Sequence, residues 1–168
     1  MSRLLLRLAR RLSSWEGELP LEEIQQYEFR RSDGEPDLRP SVYEVEGDGG
    51  EVVRACAEHV AAIPLDPPRQ MLGIDSRGLG DAVLPADGSP QFSFIKTRHR
   101  EVRLADRSAL LGFIAHLKQR IEAGQSRRVP KRELVSYARR QVAAGDSEWL
   151  AVVQGGAGTR WLRELRET

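Results

Sequence analysis

Residues 71–96, MLGIDSRGLGDAVLPADGSPQFSFIK, constrain the chain more than any other stretch. Met71, Leu72 and Ile74 predict a buried strand that stops at Asp75, and Pro67-Pro68 just before them excludes a helix running in. Gly78 and Gly80 let the chain turn without steric cost. Ala82, Val83 and Leu84 read as the return strand of a hairpin, and Asp87-Gly88 is a second turn signal ahead of a third strand. An acid at a strand's end beside a glycine turn can hold a metal or a phosphate-bearing ligand. It can equally cap the turn, because Asp bonds backbone N–H groups two residues on.

A chain of 168 residues can bury a core of its own. Its single cysteine, Cys56, excludes an internal disulfide and any cysteine-rich zinc site, so a reducing, cytoplasmic setting is the expectation. No apolar run approaches the length of a membrane span. The net charge of +1 conceals a division: residues 1–15 carry +4, residues 16–91 carry −11 and residues 92–168 carry +8. Such asymmetry means either two halves that dock electrostatically or a basic surface kept for a polyanion.

Residues 1–15 predict an amphipathic helix, with Arg3, Arg7, Arg10 and Arg11 on one face and Leu5, Leu8 and Leu12 on the other. Arg7 interrupts the leucines too early for a secretory signal. The expectation is a helix that docks its leucines on its own domain, on a protein partner or on a larger assembly, and whose removal leaves the core folded. An organelle-targeting or membrane-surface helix is the alternative. Residues 16–40 are acidic and aperiodic, with a short strand predicted near 27–31. Asp33, Glu35 and Asp37 alternate as calcium-loop ligands do, but Pro36 and a missing distal glutamate spoil the pattern. Residues 41–46 read as a strand, and residues 51–63 as a helix whose Val52, Cys56, Val60 and Ile63 face inward. Cys56 and His59 lie one turn apart, as a nucleophile and base can, but the stripe makes Cys56 a core residue.

The basic half holds the second candidate surface. Alternation along residues 91–104 puts Phe92, Phe94, Lys96, Arg98 and Arg100 on one face of a strand, with cations ~7 Å apart. That matches phosphate spacing along a single nucleic-acid strand, and the two aromatics are placed to stack bases. The alternative is that the phenylalanines are buried and the cations guard a sheet edge. Asp106 predicts a helix cap, Leu110, Ile114, Leu117 and Ile121 its buried stripe, and Gly124 its stop. A polar break follows, opening a cation cluster of Arg127, Arg128, Lys131 and Arg132. Pro130 then suits the start of another helix, which carries Arg139 and Arg140 and ends at Gly145. Residues 147–153 read as a helix by their caps, although the run 149–153 also fits a buried strand, and residues 159–167 read as a short last helix. The glycines of QGGAGT lack the lysine and spacing of a phosphate-binding loop.

Gly73, Ile74, Asp75, Gly78, Gly80, Ala82, Val83 and Leu84, followed by residues 92–96, resemble the opening of RNase H-like domains. That resemblance covers about 26 residues and implies that Asp75 binds Mg²⁺ for phosphodiester cleavage; a two-metal site needs further carboxylates, and Asp81 is the nearest candidate in sequence. The run 149–153, where the superfamily places a further acid, ends in Gln154, and Glu122, Glu133 and Asp146 lie in no matching motif.

The sequence therefore predicts an α+β fold: a small mixed sheet with flanking helices and a mostly helical C-terminal part. Its divisions are the N-terminal helix (1–15), an α+β core (16–124) and a helical extension (125–168). The leading expectation is a non-catalytic binding or regulatory protein with no cofactor. It contacts a negatively charged partner, such as single-stranded nucleic acid, through its basic half, and its oligomeric state stays open. The second expectation is a metal-dependent nuclease centred on Asp75.

Overall fold

The computed structural model describes residues 3–9, 12–46, 49–62, 69–84 and 98–154. Among them, six strands form one sheet: β1 (Arg3–Ala9), β2 (Ser41–Glu46), β3 (Gln70–Asp75), β4 (Ala82–Val83), β5 (His99–Val102) and β6 (Ser126–Pro130). Their order across the sheet is β4-β5-β2-β1-β3-β6, and every pairing is antiparallel. The helices are α1 (Leu12–Glu16), α2 (Leu21–Glu28), α3 (Gly49–Ala62), α4 (Arg107–Glu122), α5 (Lys131–Ala143) and α6 (Ser147–Gln154). The fold is α+β as the sequence predicts, and its sheet is antiparallel rather than mixed.

Residues 3–9 are a strand near the middle of this sheet, not the amphipathic helix that their arginine spacing predicts. A central strand buries both faces, so its apolar residues come consecutively rather than at alternate positions. Leu6 and Leu8 enter one core with Tyr43, Val45, Met71 and the helices α3, α5 and α6. Leu5 and Ala9 enter the other, with Val42, Leu72, Ile74, Val102 and residues of α1, α2 and α4. The sheet is thus covered on both sides. Arg7 shares the second face: its guanidinium donates to the carbonyls of Ser41 and Glu28 at 3.0 and 3.3 Å and lies 4.4 Å from the centre of the Phe29 ring. Helix-favouring Leu and Arg are overridden here by tertiary burial.

Two further segments depart from expectation. Residues 21–28 form α2, where a loop and a short strand are predicted, and Phe29 just after it packs edge-on against both Trp15 and Phe113. Residues 126–130, predicted as a polar break, are the edge strand β6, in which fully buried Val129 lies opposite Met71. Arginines and a proline suit an edge, since they discourage pairing with a further chain. The N-terminal segment and the C-terminal part are therefore joined to the core through the sheet itself.

β3 and β4 are not a hairpin. β3 pairs with β1 and β6, whereas β4 pairs with β5 at the far side of the sheet. Gly80 begins that crossing with φ 149°, and a Cβ there would lie 2.6 Å from a Val102 methyl carbon. Gly73 has another use: a Cβ on it would stand 3.1 Å from a Val52 methyl carbon, so glycine lets α3 settle on the sheet. The turn at Asp87-Gly88 and residues 159–167 lie outside the described residues.

The remaining helices are as predicted. The Asp106 carboxylate accepts from the Ala109 N–H at 2.9 Å, and Gly124 closes α4 with φ 76°. α5 ends before Gly145, also at φ 76°. Residues 147–154 are helical, with Trp149 buried against the edge of Tyr137. No helix among the described residues is long and apolar enough to cross a membrane.

Candidate functional site

Asp75 ends β3 with its carboxylate already engaged. One oxygen accepts from the Arg77 backbone N–H at 3.0 Å, the Arg77 side chain donates to both oxygens, and the Arg120 guanidinium stands 3.8 Å away. Burial acts to raise its pKa, but the Arg77 hydrogen bonds and the two guanidinium charges hold it below the usual carboxylate range. Arg120 also donates to the Arg77 carbonyl at 2.8 Å, which fastens the turn to α4. Asp81 is exposed at the far end of the same loop. Among the described residues, no group of three His, Cys, Asp or Glu side chains is placed to hold a metal ion.

The cations predicted to share a strand face are divided. Phe92, Phe94 and Lys96 lie outside the described residues. Arg98, just before β5, pairs with Glu58 of α3 at 2.5 Å, on the side of the sheet that α3 covers. Arg100 lies opposite Val42, on the other face, and pairs with Glu44 at 3.2 Å. Arg127 and Arg128 diverge in the same way: Arg127 stands 3.7 Å from Glu133, while Arg128 reaches Glu16 of α1. Arg98, Arg100 and Arg128 are thus tied to acids from the first half of the chain. Glu58 is 3% exposed, and Arg54 holds its second oxygen at 2.9 Å. Burial nonetheless pushes its pKa up, against the hydrogen bond from Arg54 and the charges of Arg98 and Arg54.

A different set of cations is left at the surface. Lys131, Arg132, Arg139 and Arg140 of α5 are exposed, and none has an ion pair among the described residues. Arg132, Ser136 and Arg140 recur every fourth residue, so they form one stripe along the helix. This stripe borders a groove of about 840 Å³ between α3 and α5. α3 contributes Glu51, Val53 and Arg54, and α5 adds Glu133, Tyr137 and Gln141. Arg140 donates to Ser136 at 3.4 Å and lies 6.0 Å from the centre of the Tyr137 ring. The Arg132–Arg140 periodicity is visible in the sequence, but the groove needs α3 beside α5. The only sequence sign of α3's part is the spacing of Glu51, Arg54 and Glu58, which puts acid and base on one helical face.

A polar cluster that sequence reasoning missed lies between β2, β5 and α3. The Tyr43 hydroxyl is 2.8 Å from His59 Nδ1, and His99 Nε2 is 2.8 Å from the Ser41 hydroxyl. The His99 ring stacks on Tyr43 at 5.6 Å, and His99 Nδ1 is buried without a hydrogen-bond partner. Finding the cluster requires the register that sets Tyr43 opposite His99. Cys56 takes no part in it. It is fully buried, and burial pushes its thiol up to about 12, so it is a packing residue rather than a nucleophile.

Burial, the largest influence, lowers the His99 pKa, and the Arg100 charge acts with it, while Glu101 opposes both. Above the ordinary imidazole value, about 6.5, the ring is neutral whether the chain is folded or not, and its contribution is intact. As pH falls through that value, the unfolded chain takes up the proton first, so stability is lost towards the lowered folded pKa. The melting temperature should therefore drop on acidification from neutrality. His99→Gln should flatten that drop, and an unchanged pH profile in the variant would remove His99 as its source.

Set against protein-family models, curated proteins and solved structures, the chain matches none of them.

Proposed function

We propose that this protein is a binding module that takes a negatively charged partner on the face formed by α3 and α5. The observation that carries this reading is the division among its cations. Arg98, Arg100 and Arg128 are held by Glu58, Glu44 and Glu16, whereas Lys131, Arg132, Arg139 and Arg140 stand exposed on one helix without an ion pair among the described residues. Exposed like charges on one helix repel each other slightly, and an anionic partner relieves that repulsion. The groove beside them supplies concave surface and hydrogen-bonding groups in Ser136, Tyr137 and Gln141.

Affinity for an anionic probe, poly-L-glutamate or oligothymidylate, should fall steeply with salt, as counterion release requires for a polyanion. Replacing Lys131, Arg132 and Arg139 by alanine should lower it about tenfold or more and reduce the salt slope by roughly one for each cation lost. The melting temperature should hardly move, because these side chains are exposed. Fluorescence anisotropy across a salt titration makes the measurement. Failure of both probes to bind, or binding indifferent to the triple variant, would defeat this reading.

A further inference from the structure

Resting on that reading, we infer that the partner is an acidic segment of a polypeptide, laid in extended form along the α3–α5 groove, rather than a nucleic acid. The first reason is the mixed charge of the groove. Glu51 and Glu133 line it together with Arg54, Arg132 and Arg140. A nucleic-acid strand carries a phosphate at every nucleotide and has no means of keeping them from two carboxylates. A peptide places its acids only where its sequence puts them. Its backbone N–H groups are donors that need acceptors, and the glutamates and Gln141 supply these.

The second reason is the state of the one aromatic ring in the groove. Binding of single strands depends on rings open to base stacking. Tyr137 is half-buried, meets Trp149 edge-to-face at 6.0 Å, and has Arg140 over it. It offers no open platform.

The third reason is spacing. Arg132 and Arg140 are separated by eight residues of α5, a rise of ~12 Å along the helix. An extended chain advances ~3.3 Å per residue with side chains alternating between faces. Two acids four residues apart therefore point the same way and lie ~13 Å apart, which matches the two guanidinium groups. A guanidinium prefers a carboxylate because its paired N–H groups meet both oxygens at once. The structure thus assigns a pattern to the partner: Asp or Glu at one position and again four residues on.

The test is selection of phage-displayed random dodecapeptides on the immobilised full-length chain, with anisotropy of labelled oligothymidylate measured in parallel. The expected result is enrichment of acidic residues at a spacing of four, with oligothymidylate bound at least tenfold more weakly than a selected peptide. Arg132→Glu combined with Arg140→Glu should turn the selected pool from acidic to basic, and both positions are exposed enough for circular dichroism to remain unchanged. Oligothymidylate bound as tightly as any selected peptide, without an acidic consensus, would overturn the peptide inference and leave the anionic-partner reading in place. An acidic consensus that the charge reversal fails to invert would remove the groove from it. Binding of neither probe would end both.

Discussion

Removal of residues 1–9 is expected to abolish cooperative folding. β1 holds β2 on one side and β3 on the other, through Leu6 opposite Tyr43 and Leu6 opposite Asp75. Without it the sheet parts into β4-β5-β2 and β3-β6, and the cores on both faces lose their centre. Leu6 and Leu8 are 3% and 6% exposed. Their burial alone is worth about 3 to 6 kcal/mol, against a total stability of about 5 to 15 kcal/mol for a domain. The truncated chain should show no thermal transition by circular dichroism. A sharp transition near that of the full chain would mean that the sheet closes without β1.

The second large effect is expected at Arg98 and Arg100. Replacing both by alanine should cost roughly 4 kcal/mol of stability, most of it from Arg98, since breaking a buried pair strands the remaining charge. Glu58 is 3% exposed and would keep only Arg54, while the Glu44 side chain is 23% exposed, so water can partly solvate its stranded charge and its share of the loss is the smaller. Burial already favours the protonated form of Glu58, and loss of Arg98 strengthens that tendency. The loss of stability should therefore be smaller at acidic than at neutral pH. Affinity for an anionic probe, measured below the melting temperature, should stay within about twofold of the parent, because neither Arg98 nor Arg100 lines the groove. An unchanged chemical-denaturation midpoint would show that Arg98 does not support the fold.

What the sequence conveyed about this chain was local. Asp106, the stripe through Leu110, Ile114 and Leu117, and Gly124 define α4, because cap, period and stop all lie within one helix. Cys56 was legible as a core residue on the same grounds. The misreadings arose where the outcome depends on a distant neighbour. Leu5, Leu6 and Leu8 fit a helix by period and a central strand by density, and only the presence of β2 and β3 decides between them. Val129 is a single apolar residue among arginines, and it becomes strand because Met71 lies opposite. The row of cations around Arg98 and Arg100 is divided for the same reason. Alternation along a strand gives the face of each side chain, but Glu58 and Glu44 lie on opposite sides of the sheet and draw the two arginines apart. The candidate site suffered most, since a groove between two helices has no signature in either helix alone.

The placement of β1 also sets an order of events during synthesis. It is translated ahead of both its neighbours, yet Leu6 needs Tyr43 on one flank and Asp75 on the other before either face of the sheet can close. Until β3 has left the ribosome, a strand rich in leucine waits with both edges unpaired, the condition in which nascent chains associate wrongly. Pairings so distant along the chain also make folding slow, because loop closure precedes the contacts that reward it. Arg3 and Arg7 flank the leucines at residues 4–6, and charges in such flanking positions discourage self-association of an exposed strand.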